Sequence, residues 1–184
     1  MNEIPQSTVP EQVILIDADD RELGHMEKLS AHREGLLHRA FSIFLFNTNG
    51  ELLLQQRAFS KYHSPGSWSN TCCGHPRPGE SVVKAAERRL QEEMGVNIDL
   101  RPVFTFTYRA EFENGLVEHE LDHVLVGRCT IDPRPDPKEA SDWRWVDRPT
   151  LEHELRTYPD RFTKWFPLCV YEAWDHAQAM ALGT

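Results

Sequence analysis

The 184-residue chain is 40% hydrophobic and 27% charged, the make-up of an ordinary globular protein, and it is long enough to bury a core as one domain spanning 1–184. Its formal net charge of −9 argues against a general nucleic-acid or anionic-membrane binder, whose affinity rests on excess Lys and Arg. No stretch approaches the roughly 20 apolar residues of a spanning helix, and residues 1–12 lack a charged-then-apolar signal layout, so they read as a flexible lead into a cytoplasmic protein with no membrane partner. In chain order, VILID at 13–17 is a short apolar strand, and AFSIFLFN at 40–47 reads as a buried strand. Asn47-Thr48-Asn49-Gly50 is a turn, and ELLLQQR at 51–57 is its expected hairpin partner. A loop carrying Pro65-Gly66 and Asn70 leads to a helix over 81–94, where Val82, Ala86, Leu90 and Met94 recur every fourth residue and Gly95 is a stop signal. RPVFTFTYRAEF (101–112) and LVEHELDHVLVGR (116–128) flank Asn114-Gly115 as a hairpin. Residues 132–138 form a Pro-rich loop, DWRWVD at 142–147 is a further strand, and the remainder from about 149 is helical. The pattern predicts an α/β (α+β) protein, a mixed β-sheet sandwich flanked by helices.

Several residues are candidates for chemistry. On a strand, Glu118, Glu120 and Asp122 share one face, with Val117, His119, Leu121 and His123 on the other. That spacing fits a solvated acidic face as well as a buried carboxylate row, which needs cations to stay ionised. Nine histidines are present, and spacing alone does not select His32, His38 and His75 from among them. The four cysteines include adjacent Cys72 and Cys73, a poor disulfide pair, and no CxxC spacing suggests a zinc ribbon; reduced thiols are expected. Cys73 is placed before the 81–94 helix, where the positive helix end and a bound metal favour thiolate.

GHPRPGESVVKAAERRLQEEMGV at 74–96 matches the Nudix box at Gly74, Glu80, Arg88, Leu90, Glu92, Glu93, Gly95 and Val96. The departure is Arg89, where the box carries a glutamate of the carboxylate cluster that binds metal and activates water. A guanidinium there weakens that activation and offers a planar fork of donors to phosphate oxygens. Its plain alternative is a surface ion pair with Glu93, four residues on.

HREGLLHRAFSIFLFN, LLLQQRAFSKYHSPGSWSNTCCGHP, the altered box and YRAEFENGLVEHEL together resemble type I isopentenyl diphosphate isomerase, over nearly the whole chain. The resemblance implies a Nudix-type fold and metal-dependent, reversible isomerisation of isopentenyl diphosphate to dimethylallyl diphosphate. A proton is added at C4 and another is removed at C2, through a tertiary carbocation. It further implies a divalent metal (Mn2+, Mg2+ or Zn2+) held by His32, His38, His75, Glu118 and Glu120. Cys73 and Glu120 would be the acid/base pair, with Tyr108 beside Glu120 and Trp165 facing the cation. Mg2+ would bridge Glu93, the Cys73 carbonyl and the diphosphate, and Lys28, Arg57, Lys61 and Arg89 would hold phosphate oxygens. No flavin or nicotinamide is implied, and the protein would be a monomer or homodimer. The alternatives are a Nudix diphosphohydrolase on a small diphosphate and a non-catalytic diphosphate-binding protein. Arg89 argues against the first; the second leaves Cys73, Tyr108, Glu120 and Trp165 without a role.

Overall fold

Two antiparallel strands, β1 (Gln12–Ile16) and β2 (Glu22–Glu27), open the computed structural model, which describes residues 10–182. The expected N-terminal lead therefore lies outside the described residues apart from its last three, and Gln12 already belongs to a strand. A short helix not anticipated from the sequence, α1 (Lys28–Glu34), follows directly. The Glu27 carboxylate caps it by accepting from the Leu29 and Ser30 amides, and Gly35 ends it in the left-handed region at φ 62°. Its local signal is weak because seven residues make only two turns and Glu is not a favoured cap.

The central strand is β3 (His38–Phe46). Its near-continuous apolar run is that of a strand covered on both faces. Phe41, Ile43 and Leu45 pack with Leu90 and Met94 of α2 (Val82–Met94), while Phe44 and Phe46 pack with Phe166, Val170 and Trp174 of α4 (Phe166–Leu182). Full burial of each such large side chain contributes about 1.5–3 kcal/mol. Along one edge β3 pairs in parallel with β8 (Val117–Arg128), from His38↔Glu120 to Phe46↔Arg128. Along the other it pairs with β6 (Cys72–Gly74) and, at His38, with β1.

That arrangement corrects the expected hairpin. The strand β4 (Leu52–Arg57) meets β3 only at Phe46↔Leu52, because both edges of β3 are already occupied. It turns away to pair with β9 (Ala140–Val146) and the two-residue β5 (Trp68–Ser69). The other expected hairpin forms in full. The strand β7 (Arg101–Glu111) runs antiparallel to β8 around a turn at Gly115 (φ 78°), setting Tyr108 opposite Glu120.

Ser81 caps α2, its hydroxyl accepting from the Lys84 amide at 3.4 Å. Gly95 closes it at φ 66°, where an added Cβ would stand 2.8 Å from the Arg134 carbonyl oxygen. The Pro-rich loop after β8 is pinned there, since the amides of Arg134 and Asp136 donate to the carbonyls of Met94 and Glu93. The last strand leads into α3 (Arg148–Thr157), capped by Asp147, and a turn at 159–161 before α4.

Candidate active site

Three distant segments bring His32, His38, His75 and Glu120 together. His32 comes from α1, His38 opens β3, and Glu120 is its register partner on β8. His75 follows β6, which the ladder to β3 holds in place. One ligand atom from each of these four buried residues lies within 4.8 Å of the others. The imidazole tautomers are fixed from behind. Nδ1–H of His32 donates to the Lys28 carbonyl at 2.6 Å, one helical turn back, and Nδ1–H of His38 donates to the Leu36 carbonyl at 2.8 Å. Each ring turns a buried Nε2 into the group; neither makes a hydrogen bond, and that of His38 lies 3.4 Å from Glu120 Oε1. Backbone-anchored imidazoles beside a carboxylate make a donor set suited to a divalent transition-metal ion. The residues present therefore fit a divalent ion. Glu118, also expected in the set, stands outside the four; its Oε1 is 3.4 Å from Nε2 of His63.

The acidic row on β8 is buried, with Glu118, Glu120 and Asp122 at 4%, 6% and 1% exposure, so it is not a solvated face. Burial would push all three carboxyls up, but their partners separate them. Glu120 is held well below the usual carboxylate range, because His38 and His75 outweigh its burial; His75 Nε2 is 2.9 Å from its Oε1. Burial and then the Glu120 charge drive Glu118 and Asp122 well above it. The Tyr108 hydroxyl donates to Glu120 Oε2 at 2.6 Å and lies 3.2 Å from Glu118 Oε2. Burial also pushes the Tyr108 phenol up, so it remains a donor.

Cys73 sits on β6 beside Ser42, on the edge of β3 opposite β8. The thiolate expected from the helix end is not what forms here. Burial followed by the Asp122 charge pushes the Cys73 thiol up to about 12, which favours the protonated form. Its sulfur donates toward Asn70 Oδ1 at 3.2 Å and lies 3.5 Å from the Ser42 hydroxyl, which itself donates to Asp122 at 2.7 Å. Cys72 turns the other way, into the core around Leu90. Trp165, just before α4, is 3% exposed and donates its indole N–H to Asn70 Oδ1 at 3.1 Å. The Arg57 guanidinium lies 5.6 Å from its ring centroid, so one cation already sits against that aromatic face.

The expected phosphate ligands all reach one cavity of about 80 Å³, which Cys73, Tyr108, Glu120 and Trp165 also line. Lys28 bonds Glu11 at 3.0 Å, Lys61 bonds Glu139, and Arg57 donates to the His63 carbonyl at 3.1 Å. Arg89 bonds Glu92 at 2.8 Å and Glu93, and lies 3.2 Å from Glu139, so the ion pair open as its plain alternative does form. It is not a plain surface pair, because Glu93 is buried and Gln55 also donates to it at 3.0 Å. Gly74 is small for a reason local to this wall: a Cβ there would stand 2.9 Å from the Phe41 ring and 3.3 Å from Arg89 Cγ. Glu11, Ser42, Gln55, His63, Asn70 and Glu139 were not anticipated from the sequence. Ser42, Gln55, His63 and Asn70 lie inside the segments that carry the resemblance, whereas Glu11 and Glu139 lie outside them.

A NUDIX domain model matches residues 36–166. A Burkholderia multivorans protein named isopentenyl-diphosphate Delta-isomerase is 56% identical over 163 residues, 89% of this chain and 93% of the relative. One of the same name from Serratia proteamaculans is 54% identical over 156 residues, 85% and 87% of the two chains. Among solved structures, a Deinococcus radiodurans protein aligns with a TM-score of 0.68 at 24% identity, over 80% of this chain and 90% of its own. A MutT protein from Methanosarcina mazei aligns with a TM-score of 0.56 at 19% identity, over 79% and 95%. These two likenesses bear on the fold, a mixed sheet flanked by helices. Among the described residues, no helix is long and apolar enough to cross a membrane.

Proposed function

The chain belongs to the isopentenyl-diphosphate Delta-isomerase family, built on a Nudix domain, and from that premise we propose how its own residues interconvert isopentenyl and dimethylallyl diphosphate. The observation that carries the reading is the convergence of a half-buried thiol, a buried carboxylate, an indole face and four cationic side chains on one cavity. Lys28, Arg57, Lys61 and Arg89 hold the diphosphate, exchanging their present carboxylate and carbonyl partners for phosphate oxygens. Arg89 supplies a bidentate fork where a hydrolase box supplies a carboxylate.

Protonating an unactivated alkene at C4 yields a tertiary cation, which any nearby water would quench. Bound substrate must displace water from the cavity, and the Trp165 face stabilises the cation without offering a nucleophile. Cys73 and Glu120 exchange the two protons, one at C4 and one at C2. They are suited to opposite faces of the substrate because β3 stands between their strands. Cys73 enters as the protonated thiol and Glu120 as the carboxylate, with the Tyr108 hydroxyl orienting Glu120. His32, His38, His75 and Glu120 would hold Mn2+, Mg2+ or Zn2+, with Glu118 joining them. Such an ion orients Glu120 and lowers its proton affinity. Mg2+ with the diphosphate would rest on Glu93 and the Cys73 carbonyl. The protein acts as one domain, monomeric or homodimeric, in the cytoplasm. It takes a small diphosphate, with neither nucleic acid nor membrane as partner.

The test is incubation with isopentenyl diphosphate and Mg2+ in D2O, followed by proton NMR. Dimethylallyl diphosphate with deuterium in its methyl group is the expected product. Release of phosphate or a monophosphate would point to hydrolysis, and folded, metal-loaded protein that leaves the substrate unchanged would point to binding alone.

A further inference from the structure

We propose that Asn70 is a positioning residue, its side-chain oxygen locking the Cys73 thiol and the Trp165 indole into one fixed relation across the site. This rests on the reading of Cys73 and Trp165 as groups that meet the substrate. Asn70 is fully buried in the link between β5 and β6. The chemistry of its neighbours dictates its amide orientation. Nδ2 donates to the carbonyls of Ile43 at 3.2 Å and Cys72 at 2.9 Å, groups that only accept. Oδ1 faces the Trp165 indole N–H at 3.1 Å, a group that only donates. The same oxygen lies 3.2 Å from Cys73 Sγ, so sulfur and indole nitrogen share one anchoring atom.

The thiol proton has acceptors on both sides. The Ser42 proton is committed to Asp122 at 2.7 Å, which leaves an oxygen lone pair facing Cys73. A second strut supports Asn70: the Ser69 hydroxyl donates to Oδ1 at 2.9 Å and is itself 2.9 Å from the Thr163 hydroxyl. The segment that carries Trp165 is tied by its backbone to this region through the bridge between Phe162 and Trp68 and the Thr163 amide donating to the Trp68 carbonyl. Core packing buries the indole, and its N–H bond to Asn70 is what sets the ring's angle within that packing. A misplacement of about 1 Å in such a site costs on the order of 100-fold in rate.

The experiment compares Asn70→Leu, which keeps the volume and removes both polar atoms, with Asn70→Asp, which keeps an acceptor oxygen. A buried Asp at this position takes up a proton and still donates to one of the two carbonyls. The expected result for Asn70→Leu is a kcat about 100-fold lower, with KM for isopentenyl diphosphate within about threefold, because the four phosphate-holding cations do not touch Asn70. Asn70→Asp is expected to recover at least about tenfold of that loss. A purely structural role predicts otherwise, with Asp no better than Leu, and kcat falling and KM rising in step with a falling melting temperature; that outcome overturns the proposal. Should Asn70→Leu fail to fold, Asn70→Ser carries the same test: its shorter hydroxyl cannot serve both sulfur and indole, and an unchanged kcat overturns the proposal. Cys73→Ala is run alongside. Wild-type turnover in that variant sinks the underlying reading of the thiol, whereas lost turnover there with full kcat in Asn70→Leu sinks only the positioning role.

Discussion

Replacing Arg89 with Leu separates the two things that this arginine does. The side chain of Glu93 is 7% exposed and holds Arg89 as its cationic partner, with the neutral Gln55 amide at 3.0 Å as its other support. Removing the guanidinium strands a buried carboxylate, a change that costs roughly 3–5 kcal/mol when a buried pair loses one member. Arg89 itself is 21% exposed, so the lower end, about 3 kcal/mol, is appropriate. For a domain of this size that corresponds to a fall in melting temperature of about 6–12 °C. Substrate binding loses a charge-assisted hydrogen bond of about 1.5–3 kcal/mol, which raises KM roughly 10- to 100-fold. Scanning calorimetry in chelator reads the first effect, and NMR-monitored initial rates against isopentenyl diphosphate read the second. Mg2+ is expected to recover part of the melting temperature by taking the place of the lost cation at Glu93. An unchanged KM refutes phosphate contact by Arg89, and an unchanged melting temperature refutes the dependence of Glu93 on it.

Calorimetric titration of chelated protein with Mn2+ is expected to show one site at the His/Glu group. His38→Ala and Glu118→Gln should each weaken it at least about tenfold; a loss from His38→Ala alone would place Glu118 beside the ligand set rather than in it. Cys73→Ala is expected to abolish turnover while leaving the dissociation constant for isopentenyl diphosphate within about threefold; loss of binding by calorimetry would remove Cys73 from its purely chemical role. Burial, then the Arg57 charge, holds the His63 imidazole down to about 3, so it stays neutral in the fold. Below about pH 6.5 the unfolded chain binds a proton there that the folded chain does not, so stability falls with pH down to the folded value. His63→Phe should flatten that slope by up to about 1.4 kcal/mol per pH unit, measured by urea denaturation at pH 7 and pH 5; equal slopes in both proteins would refute it.

Local signals made much of this chain legible. Helix α2 announces itself through fourfold periodicity and the Gly95 stop, and each acts within a few residues. The same holds for the β7–β8 hairpin around Asn114-Gly115. Helix α1 was not legible, because it has two turns and an atypical cap. The partner of β4 was not legible either, because competition for the edges of β3 is a property of the whole sheet.

The site divides along the same line. Arg89 stands inside a contiguous motif, so its departure from the box was plain in one dimension. Spacing could not choose His32, His38 and His75 from nine histidines, and only the resemblance singled them out. What unites them with Glu120 is the parallel register His38↔Glu120 and the β3–β6 ladder, contacts far apart in sequence. Alternation put Glu118, Glu120 and Asp122 on one face, but only the packing of Tyr108, His63, Ser42 and the histidines against that face decided which carboxylate stays charged. The thiol of Cys73 is the clearest case. Its position before the helix argued for thiolate, and the tertiary structure opposes this: burial and then the Asp122 charge disfavour the anion. The sequence by itself determined the family, the box and its altered residue. Protonation states and ligand geometry waited on the fold, because both depend on which distant groups share a buried space.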